Sequence, residues 1–279
     1  MEPVGSQPLW REIRSPKRGM PRLGVRELWA YRDLALILAL RDLQLLYRQT
    51  LLGIAWVVLQ PLAAMLIFAL IFGRLARLPS DGVPYASFAL AGLTVWTFVS
   101  TAVTSAAASL TEDPDLVTKV YFPRMLAPIA AVLAATVELL ITLVLLVPVL
   151  AFDRVVPPLQ ILTLPLWLLG ATLLAIAVGL WLSAANVLYR DARYVLPFLL
   201  QAWLFISPVA ISSSLVPDSW RWVYNLNPAA GLIDGMRWAL LDGPSPGPQL
   251  AVSVASLFLV LVSGAMWFRA AERVFADTI

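Results

Sequence analysis

Side chains that could carry out chemistry are scarce in this sequence, and the missing types exclude most catalytic sites. None of the 279 residues is Cys or His, so thiol nucleophiles, imidazole bases and most transition-metal sites are absent. A Ser or carboxylate enzyme is possible in principle, but no loop clusters an acid with a base. The phosphate-binding pattern GxxxxGK followed by Ser or Thr does not occur, so we do not expect this chain to hydrolyse ATP itself.

Glu138 is the one carboxylate near the centre of an apolar run. A charge there costs about 3 kcal/mol unless it is paired, solvated or protonated. Glu138 therefore lies either on a polar transport path or in a structural hydrogen bond between helices, and the sequence leaves both open. Gln60 is a second polar side chain in such a run, and Pro61 after it predicts a kink.

Apolar runs fill most of the chain and are long enough to cross a bilayer. Hydrophobic residues make up 60% of the sequence and charged residues 13%, and a spanning helix needs roughly 20 mostly apolar residues. We predict an all-α integral membrane protein with one transmembrane domain, residues 51–279, that contains six transmembrane helices. The predicted spans are 52–73, 85–108, 125–152, 160–187, 195–216 and 249–268.

The distribution of Lys and Arg predicts the orientation in the membrane. If the N-terminus is cytoplasmic, 15 of the 20 Lys and Arg residues lie on the cytoplasmic side, as the positive-inside rule requires. Both termini are then cytoplasmic, and the basic excess implies no nucleic-acid partner. Residues 1–24 are polar and Pro-rich without the apolar core of a cleavable signal peptide, so we expect a disordered cytoplasmic tail.

Residues 25–50 are predicted to form an amphipathic helix that lies in the membrane interface. One face is apolar and the opposing stripe carries four charges, which makes crossing the bilayer expensive and lying on its surface favourable. The alternative is an ordinary helix packed on the protein core. The apolar face comprises Trp29, Leu36, Leu40, Leu43 and Tyr47, and the polar stripe comprises Arg26, Asp33, Arg41, Gln44 and Arg48.

The loop between the second and third predicted spans carries the signals of a short helix over 112–123. Asp113 is a good N-cap, Pro114 suits the first turn, and Pro123 ends the helix. An apolar face in a short cytoplasmic loop indicates that a partner protein covers it, and the alternative is a helical turn folded against the bilayer. The residues available for docking are Leu116, Val117, Val120, Tyr121 and Phe122.

Residues 218–243 predict a helical hairpin on the outer face of the membrane. Asn227 and Pro228 start a helix, and Asp242 with Gly243 ends it after about 14 residues, which is too short to span. Trp220, Trp222 and Tyr224, just before this helix, suit the membrane–water interface. We therefore expect a re-entrant or interfacial hairpin. A GxxxG pattern at Gly231 and Gly235 encloses Asp234, so it indicates local packing or chance.

Four segments together make the chain recognisable: RDLQLLYRQTLLGIAWVVLQPL (41–62), DPDLVTKVYFPR (113–124), NVLYRDARYVLPFLLQ (186–201) and YNLNPAAGLIDGMRWALL (224–241). Their order resembles the membrane subunit of type-2 ABC exporters, and within that family the permeases for polysaccharides such as O-antigen, capsule and teichoic acid. The resemblance runs from about Val25 to the C-terminal RAAERVFADTI.

This resemblance implies a homodimer in the bacterial inner membrane that exports a lipid-linked polysaccharide. Two copies of a separate ATPase chain would bind ATP and Mg²⁺, and this chain would need no cofactor. Carried over residue by residue, the ATPase-coupling helix comprises Glu112, Asp113, Pro114, Asp115, Leu116, Val117, Lys119, Val120, Tyr121 and Phe122. The interface helix, in contact with membrane lipids, includes Glu27, Trp29, Arg41, Tyr47 and Arg48, and the hairpin 218–243 matches helices at the exit side.

A polysaccharide path should be lined by aromatic rings and small polar groups, because sugars stack on rings and form many hydrogen bonds. The candidates are Trp56, Phe68, Phe72, Trp96, Trp203 and Phe205, and the alternative for each is a ring that faces lipid or the interfacial belt. The sequence leaves open whether transport proceeds by alternating access or by processive threading.

Other functions are compatible with parts of this pattern. The same architecture could export a drug or a small lipid, since a fold alone does not define its cargo. A membrane-embedded transferase is disfavoured by the absence of His and of a clustered acid–base pair. A secondary transporter is disfavoured because the sequence shows no internal repeat with paired broken helices.

Overall fold

The computed structural model describes residues 25–47, 54–112, 122–189 and 191–275, and the predicted tail 1–24 lies outside them. The described part is helical and contains no β-strand. Its α-helices are α1 (Val25–Ala30), α2 (Arg32–Tyr47), α3 (Ile54–Phe68), α4 (Tyr85–Ala108), α5 (Leu126–Phe152), α6 (Leu164–Leu188), α7 (Ala192–Ile206), α8 (Asp218–Tyr224), α9 (Pro228–Leu241) and α10 (Leu250–Ala271). A π-helical segment, Ala69–Leu75, continues α3, and 3-10 turns cover Leu159–Thr163 and Ser213–Leu215.

Five helical segments among the described residues are long and apolar enough to cross a membrane. They are Ala55–Leu75, Tyr85–Ala108, Leu126–Phe152, Leu159–Leu188 and Leu250–Ala271, and they agree closely with five of the six predicted spans. A coarser conclusion is therefore confirmed: the chain is an all-helical, multi-pass membrane protein. Pro61, at which a kink was predicted, lies inside α3.

The predicted span 195–216 was wrong in its second half. Its helix, α7, begins at Ala192 and ends at Ile206, and Ser207 is extended with ψ 152°. The residue before a proline avoids helical geometry, so Pro208 forces the break. The shorter helix by itself is about 22 Å long at 1.5 Å per residue.

The two ends of the bundle are marked by contacts to α4. At one end, here called the Glu112 end, Asn186 Nδ2 donates to the carbonyl of Ala107 at 2.9 Å. At the other, the Tyr85 end, the Tyr85 hydroxyl donates to the carbonyl of Ala210. The chain from 186 to 210 therefore runs the length of α4, with α7 covering most of that distance.

Helix α4 is the centre of the bundle and is the most buried of the five long segments. It packs against α3, α5, α6 and α9. Small side chains at these contacts let the helix backbones approach closely, as is common for helices in a membrane. A Cβ on Gly179 of α6, for example, would lie 2.8 Å from the Cβ of Ala106. Asp153, which follows α5, holds the first turn of α4, because its Oδ2 accepts from the Ser87 hydroxyl at 2.6 Å.

The segment of the predicted hairpin contains two helices, α8 and α9. The Asn227 side chain caps α9 by accepting from the Ala229 amide at 3.1 Å, and Asp242 ends the helix at φ 55°. Helix α9 is buried among α4, α6 and α10, which fits a re-entrant helix better than one lying on a surface. A Cβ on Gly235 would lie 2.3 Å from the Trp167 ring, so the glycine pair serves local packing.

The predicted interface helix is divided by a turn at Tyr31 into α1 and α2. Small residues of α2, Ala35 and Ala39, are buried with Leu38 in a cluster that also contains side chains of α5, α6 and α10. Leu36 and Leu40 point away and are exposed. One face of α2 thus packs on the bundle and another face is exposed, and a position in the membrane interface stays a prediction.

Candidate functional site

A cavity lies at the Glu112 end, between α2, α4 and α5. Its volume is about 520 Å³, and we call it the Glu138 cavity. It is lined by Leu38, Arg41, Asp42, Leu45, Thr101, Thr104, Ser105, Ala108, Ser109, Glu112, Ala127, Ala131, Ala134, Ala135 and Glu138. The structure thereby brings together three residues selected from the sequence, Arg41, Glu112 and Glu138.

The wall of the Glu138 cavity is mainly apolar but includes the carboxylate residues Asp42, Glu112 and Glu138. Arg41 donates from Nη2 to Asp42 Oδ1 at 2.9 Å, so its charge is balanced locally. The Glu138 carboxylate has no hydrogen-bond or ion-pair partner in residues 25–47, 54–112, 122–189 and 191–275. Hydroxyl groups of Thr101, Thr104 and Ser105 line the opposite wall. Such a surface suits ligands that carry many hydroxyl groups.

The six predicted path aromatics do not lie on one surface. Trp96 is buried and meets Trp203 edge to face with ring centroids 5.5 Å apart. Trp203 also donates from Nε1 to Asn227 Oδ1 at 2.8 Å, which fixes the start of α9. The Phe68 and Phe72 rings meet edge to face at 5.3 Å, while Trp56 and Phe205 are exposed. Trp96 therefore serves the interior of the subunit.

The predicted coupling helix falls mainly on 113–121, outside the described residues. Of its two flanking residues, Glu112 is exposed and lines the Glu138 cavity. Phe122 is 6% exposed and packs with α2, α5, α6 and α10. Phe122 was expected to be available to a partner, and the structure places it instead in the core, because the chain turns inward at Phe122 and Pro123.

Other predicted positions are distributed over exposed surfaces. Trp29 is 71% exposed, with the Arg32 guanidinium 5.3 Å from its ring centroid. Gln60 is exposed on α3. Glu27 and Tyr47 lie in α1 and α2 but their side chains are not described, and Arg48 lies outside the described residues.

Sequence reasoning missed a buried polar cluster at the Tyr85 end. Arg237 belongs to the predicted hairpin helix and was not selected as a site residue, but it is 4% exposed and lies inside the bundle. Its guanidinium donates from Nε to the Phe88 carbonyl at 3.3 Å and from Nη1 and Nη2 to the carbonyls of Pro208 and Val209 at 2.5 and 2.8 Å. A buried charge needs such partners, and here it satisfies carbonyls released by the break after α7.

A second cavity, of about 180 Å³, lies beside this cluster, and we call it the Asp234 cavity. Burial raises the pKa of Asp234 from 3.8 to about 6, although the Ser213 side chain and Arg237 lower it. Burial lowers the pKa of Arg237 to about 10 against the opposing effect of Asp234. The cavity is lined by Asp81, Ser212, Ser213, Ser214, Arg221, Tyr224, Asn225, Gly231, Asp234, Arg237 and parts of 244–250.

One sequence signal could have identified the buried cluster. Asp234 and Arg237 are three residues apart inside an otherwise apolar 14-residue helix, so they lie on the same face of it. Burial of two charged side chains in apolar surroundings is unfavourable unless other groups bind them. The carbonyl partners of Arg237 come from α4 and from the end of α7, which are distant in sequence, so spacing alone could not identify them.

Comparison with known proteins relates this arrangement to a family of membrane transporters. The family model of the ABC-2 type transporters matches residues 34–241. The chain is 29% identical over 260 residues to the O-antigen export system permease protein RfbA of Myxococcus xanthus, which covers 91% of this chain and 98% of that protein. It is 23% identical over 248 residues to the protein of the same name from Klebsiella pneumoniae, with 88% and 95% covered.

Proposed function

This chain belongs to the ABC-2 type transporter family, and we propose that it is the membrane channel subunit of a bacterial exporter of lipid-linked polysaccharide. Family membership confirms the resemblance expected from the four sequence segments. The observation that carries the proposal is the similarity, over nearly the whole of both proteins, to permeases named for O-antigen export. The family implies an ABC ATPase partner, and the motor is then a separate chain.

The Glu138 cavity supports a polyhydroxylated cargo. Its wall combines the hydroxyl groups of α4 with the Glu112 and Glu138 carboxylates, whereas its one guanidinium, Arg41, is engaged by Asp42. Sugar hydroxyls can donate to such acceptors. A mainly apolar drug would leave them desolvated without partners, which is costly.

We propose six crossings with both termini in the cytoplasm. Helix α7 is short, but the chain from 186 to 210 follows α4 from the Glu112 end to the Tyr85 end. With that crossing added to the five long segments, the positive-inside distribution puts the Glu112 end in the cytoplasm and the hairpin outside. Because the chain lacks Cys, single-Cys labelling at the exposed positions 219 and 242 tests this orientation, and access from the cytoplasm alone would contradict it.

We propose that two copies of the chain pair around a channel lined by α3 and α7. Most of α3 is uncovered within the subunit, and α7 buries only Leu196 and Leu200. Each of these helices exposes a Gln side chain within it, Gln60 and Gln201. An amide facing hydrocarbon is unfavourable, so these faces suit a second subunit or a polar path better than lipid.

The test is export in a strain whose own O-antigen permease gene is deleted. The chain is co-expressed with a candidate ABC ATPase partner, and surface polysaccharide is measured by immunoblot. Polysaccharide should appear at the surface with an active ATPase and be lost with a hydrolysis-deficient one. Absence of surface polysaccharide together with ATP-dependent efflux of dyes or short lipids would instead assign the chain to drug or lipid export.

A further inference from the structure

We propose that a groove beside α7 holds one acyl chain of an anionic phospholipid, whose phosphate binds Arg193. This inference rests on the proposed membrane crossing by α7, with its first turn on the cytoplasmic side, but not on the nature of the cargo. The groove lies between α6, α7 and α10 and has a volume of about 310 Å³. We call it the α7 groove.

The α7 groove offers an occupant only apolar contacts. Its lining consists of Val, Leu and Trp side chains. The polar atoms of its two tryptophans are already engaged, because Trp181 Nε1 donates to Ser263 Oγ at 3.2 Å and Trp203 Nε1 donates to Asn227 Oδ1 at 2.8 Å. A sugar or a phosphate inside the groove would lose its hydrogen bonds to water without replacement, whereas a hydrocarbon chain needs none.

The α7 groove is open at its rim, so an occupant can enter it from outside the subunit. Trp181 is 37% exposed and Leu199 is 49% exposed, while Leu196 and Leu200 form a buried floor. The lining on α7 extends from 196 to 203, which is about 10 Å at 1.5 Å per residue and suits a chain lying along the helix. An unfilled gap would forfeit the dispersion contacts that close packing provides.

Arg193 carries a positive charge at the end of the groove where a headgroup would lie. Arg193, Leu196, Leu200 and Trp203 follow the three- and four-residue spacing of one helix face. The Arg193 guanidinium is exposed and donates to the hydroxyl of Tyr194 at 2.9 Å, and within the described part of the chain it has no carboxylate partner. Tyr194 is 69% exposed, as suits a ring at the membrane–water interface.

These features favour an anionic phospholipid over other membrane lipids. The Arg193 guanidinium attracts a phosphate, and a headgroup with its own ammonium would compete for that phosphate. Asp191 is two positions earlier and so does not face Arg193. Pro197 has no amide, so the carbonyl of Arg193, four residues earlier, can accept from a headgroup hydroxyl. Gln201, proposed to face the channel, is not part of the groove lining, which favours a resident lipid over cargo in transit.

The experiment photo-crosslinks lipids to the permease–ATPase complex in nanodiscs. The probes are phosphatidylglycerol and phosphatidylcholine, each with a diazirine in one acyl chain, and the attachment sites are read by peptide mass spectrometry. We expect phosphatidylglycerol to label the groove segments of α6 and α7 about fivefold more than phosphatidylcholine, the contribution expected of one arginine. Arg193→Gln should remove this preference. Equal labelling of the groove by the two lipids in the wild type would overturn the proposal.

Two matched controls accompany the variants. Arg32→Gln removes an exposed arginine that also lies over an aromatic ring but is outside the groove, so it should keep the preference. Leu199→Trp fills the rim and should reduce labelling severalfold, whereas Phe198→Trp changes its exposed neighbour outside the lining and should not. Arg193→Gln and Leu199→Trp labelled as strongly as their controls would contradict the proposal.

A second copy of the chain is the competing occupant of the groove. Leu199→Cys tests it, because the chain has no other Cys. Disulfide-linked copies through position 199, with no lipid attached to the groove, would overturn the proposal. Export of polysaccharide without labelling of the groove would contradict this inference alone. Labelling of the groove in a complex that exports no polysaccharide would contradict only the proposed function.

Discussion

Arg237 and Phe88 join the buried helix α9 to the first turn of the central helix α4. The guanidinium lies over the Phe88 ring at 3.5 Å and also donates to the Phe88 carbonyl. The same side chain binds the carbonyls of Pro208 and Val209 after α7. One residue thus fastens three separate segments at the Tyr85 end, so a movement of α4 is passed on to α9 and to the end of α7.

Arg237→Met should destabilise the subunit strongly. It leaves three carbonyls without their donor and removes the stacking on Phe88, and loss of one partner from a buried charged network costs about 3–5 kcal/mol. The measurement is the thermal unfolding of the purified complex in detergent. Arg221→Met is the control, because Arg221 pairs at 2.9 Å with Asp218 at the surface, where a pair contributes at most about 1 kcal/mol. Equal melting temperatures for the two variants would contradict the assigned role.

Gly235→Ala should also destabilise the subunit, by crowding rather than by loss of a contact. The added Cβ would lie 2.3 Å from the Trp167 ring, and overpacking of a core typically costs about 1–3 kcal/mol. Gly243→Ala is the matched control, since its nearest neighbour would be 3.6 Å away. The two variants are compared by their melting temperatures and by the yield of assembled complex. A Gly235 variant as stable as the control would show that α9 and α6 can separate at no cost.

The sequence predicted helices reliably where a single local signal determined them. Asn227 and Pro228 start α9 and Asp242 ends it, because capping and turn preferences act over a few residues. The span 195–216 was wrong because apolar length was weighed above Pro208. The buried carbonyls of Pro208 and Val209 accept from Arg237. That compensation comes from tertiary structure and has no signature in a hydropathy window.

Candidate site residues were predicted less well than helices, for a related reason. Residue type selected Glu138 as a polar group that needs accommodation, and in the structure Glu138 lines a cavity of about 520 Å³. Residue type could not separate Trp96, which is buried against Trp203, from Phe205, which is exposed. An aromatic residue on a spanning helix looks the same in the sequence whether its ring faces lipid, a partner subunit or a neighbouring helix.

The stability of the complex should depend on pH through Asp234. Its pKa is raised from 3.8 to about 6, so between these values the folded chain binds more protons than the unfolded chain, and stability falls as pH rises. The charged and titratable groups that face Asp234 are Asp81, Tyr224 and Arg237. Relative to Asp234→Asn, wild type should lose about 1 kcal/mol between pH 5 and pH 7. Parallel pH profiles of melting for the two proteins would contradict this linkage.

Glu138→Gln should retain polysaccharide export, whereas Glu138→Leu should reduce it severalfold. The amide keeps an acceptor in the Glu138 cavity, while leucine adds an apolar group between the hydroxyls of α4 and the Glu112 carboxylate. The control Val144→Leu changes a residue of α5 that is 71% exposed. Export is measured with assembly of the complex, so that a folding defect is recognised. Full export by the leucine variant would show that the cavity does not contact the cargo.

Tyr121 and Phe122 should give different defects when each is changed to Ala, although they are adjacent. Phe122 packs in the core beside α2 and α10, so Phe122→Ala should cost about 3–5 kcal/mol of stability. Tyr121 lies in the segment that we expect to engage the ATPase, so Tyr121→Ala should weaken binding of the ATPase instead. Loss of an aromatic anchor typically costs about 2 kcal/mol or more, which weakens a complex more than tenfold.

The measurements are thermal unfolding of the isolated subunit and pull-down of the ATPase chain with each variant. Val117→Pro joins the series, because proline would disrupt the helix predicted from the sequence over 112–123 by about 3 kcal/mol, and it should abolish coupling without unfolding the bundle. Tyr121→Ala and Val117→Pro should therefore bind the ATPase poorly at a normal melting temperature, while Phe122→Ala should melt early. If Tyr121→Ala and Val117→Pro bind the ATPase and export as wild type does, the motor engages the subunit elsewhere.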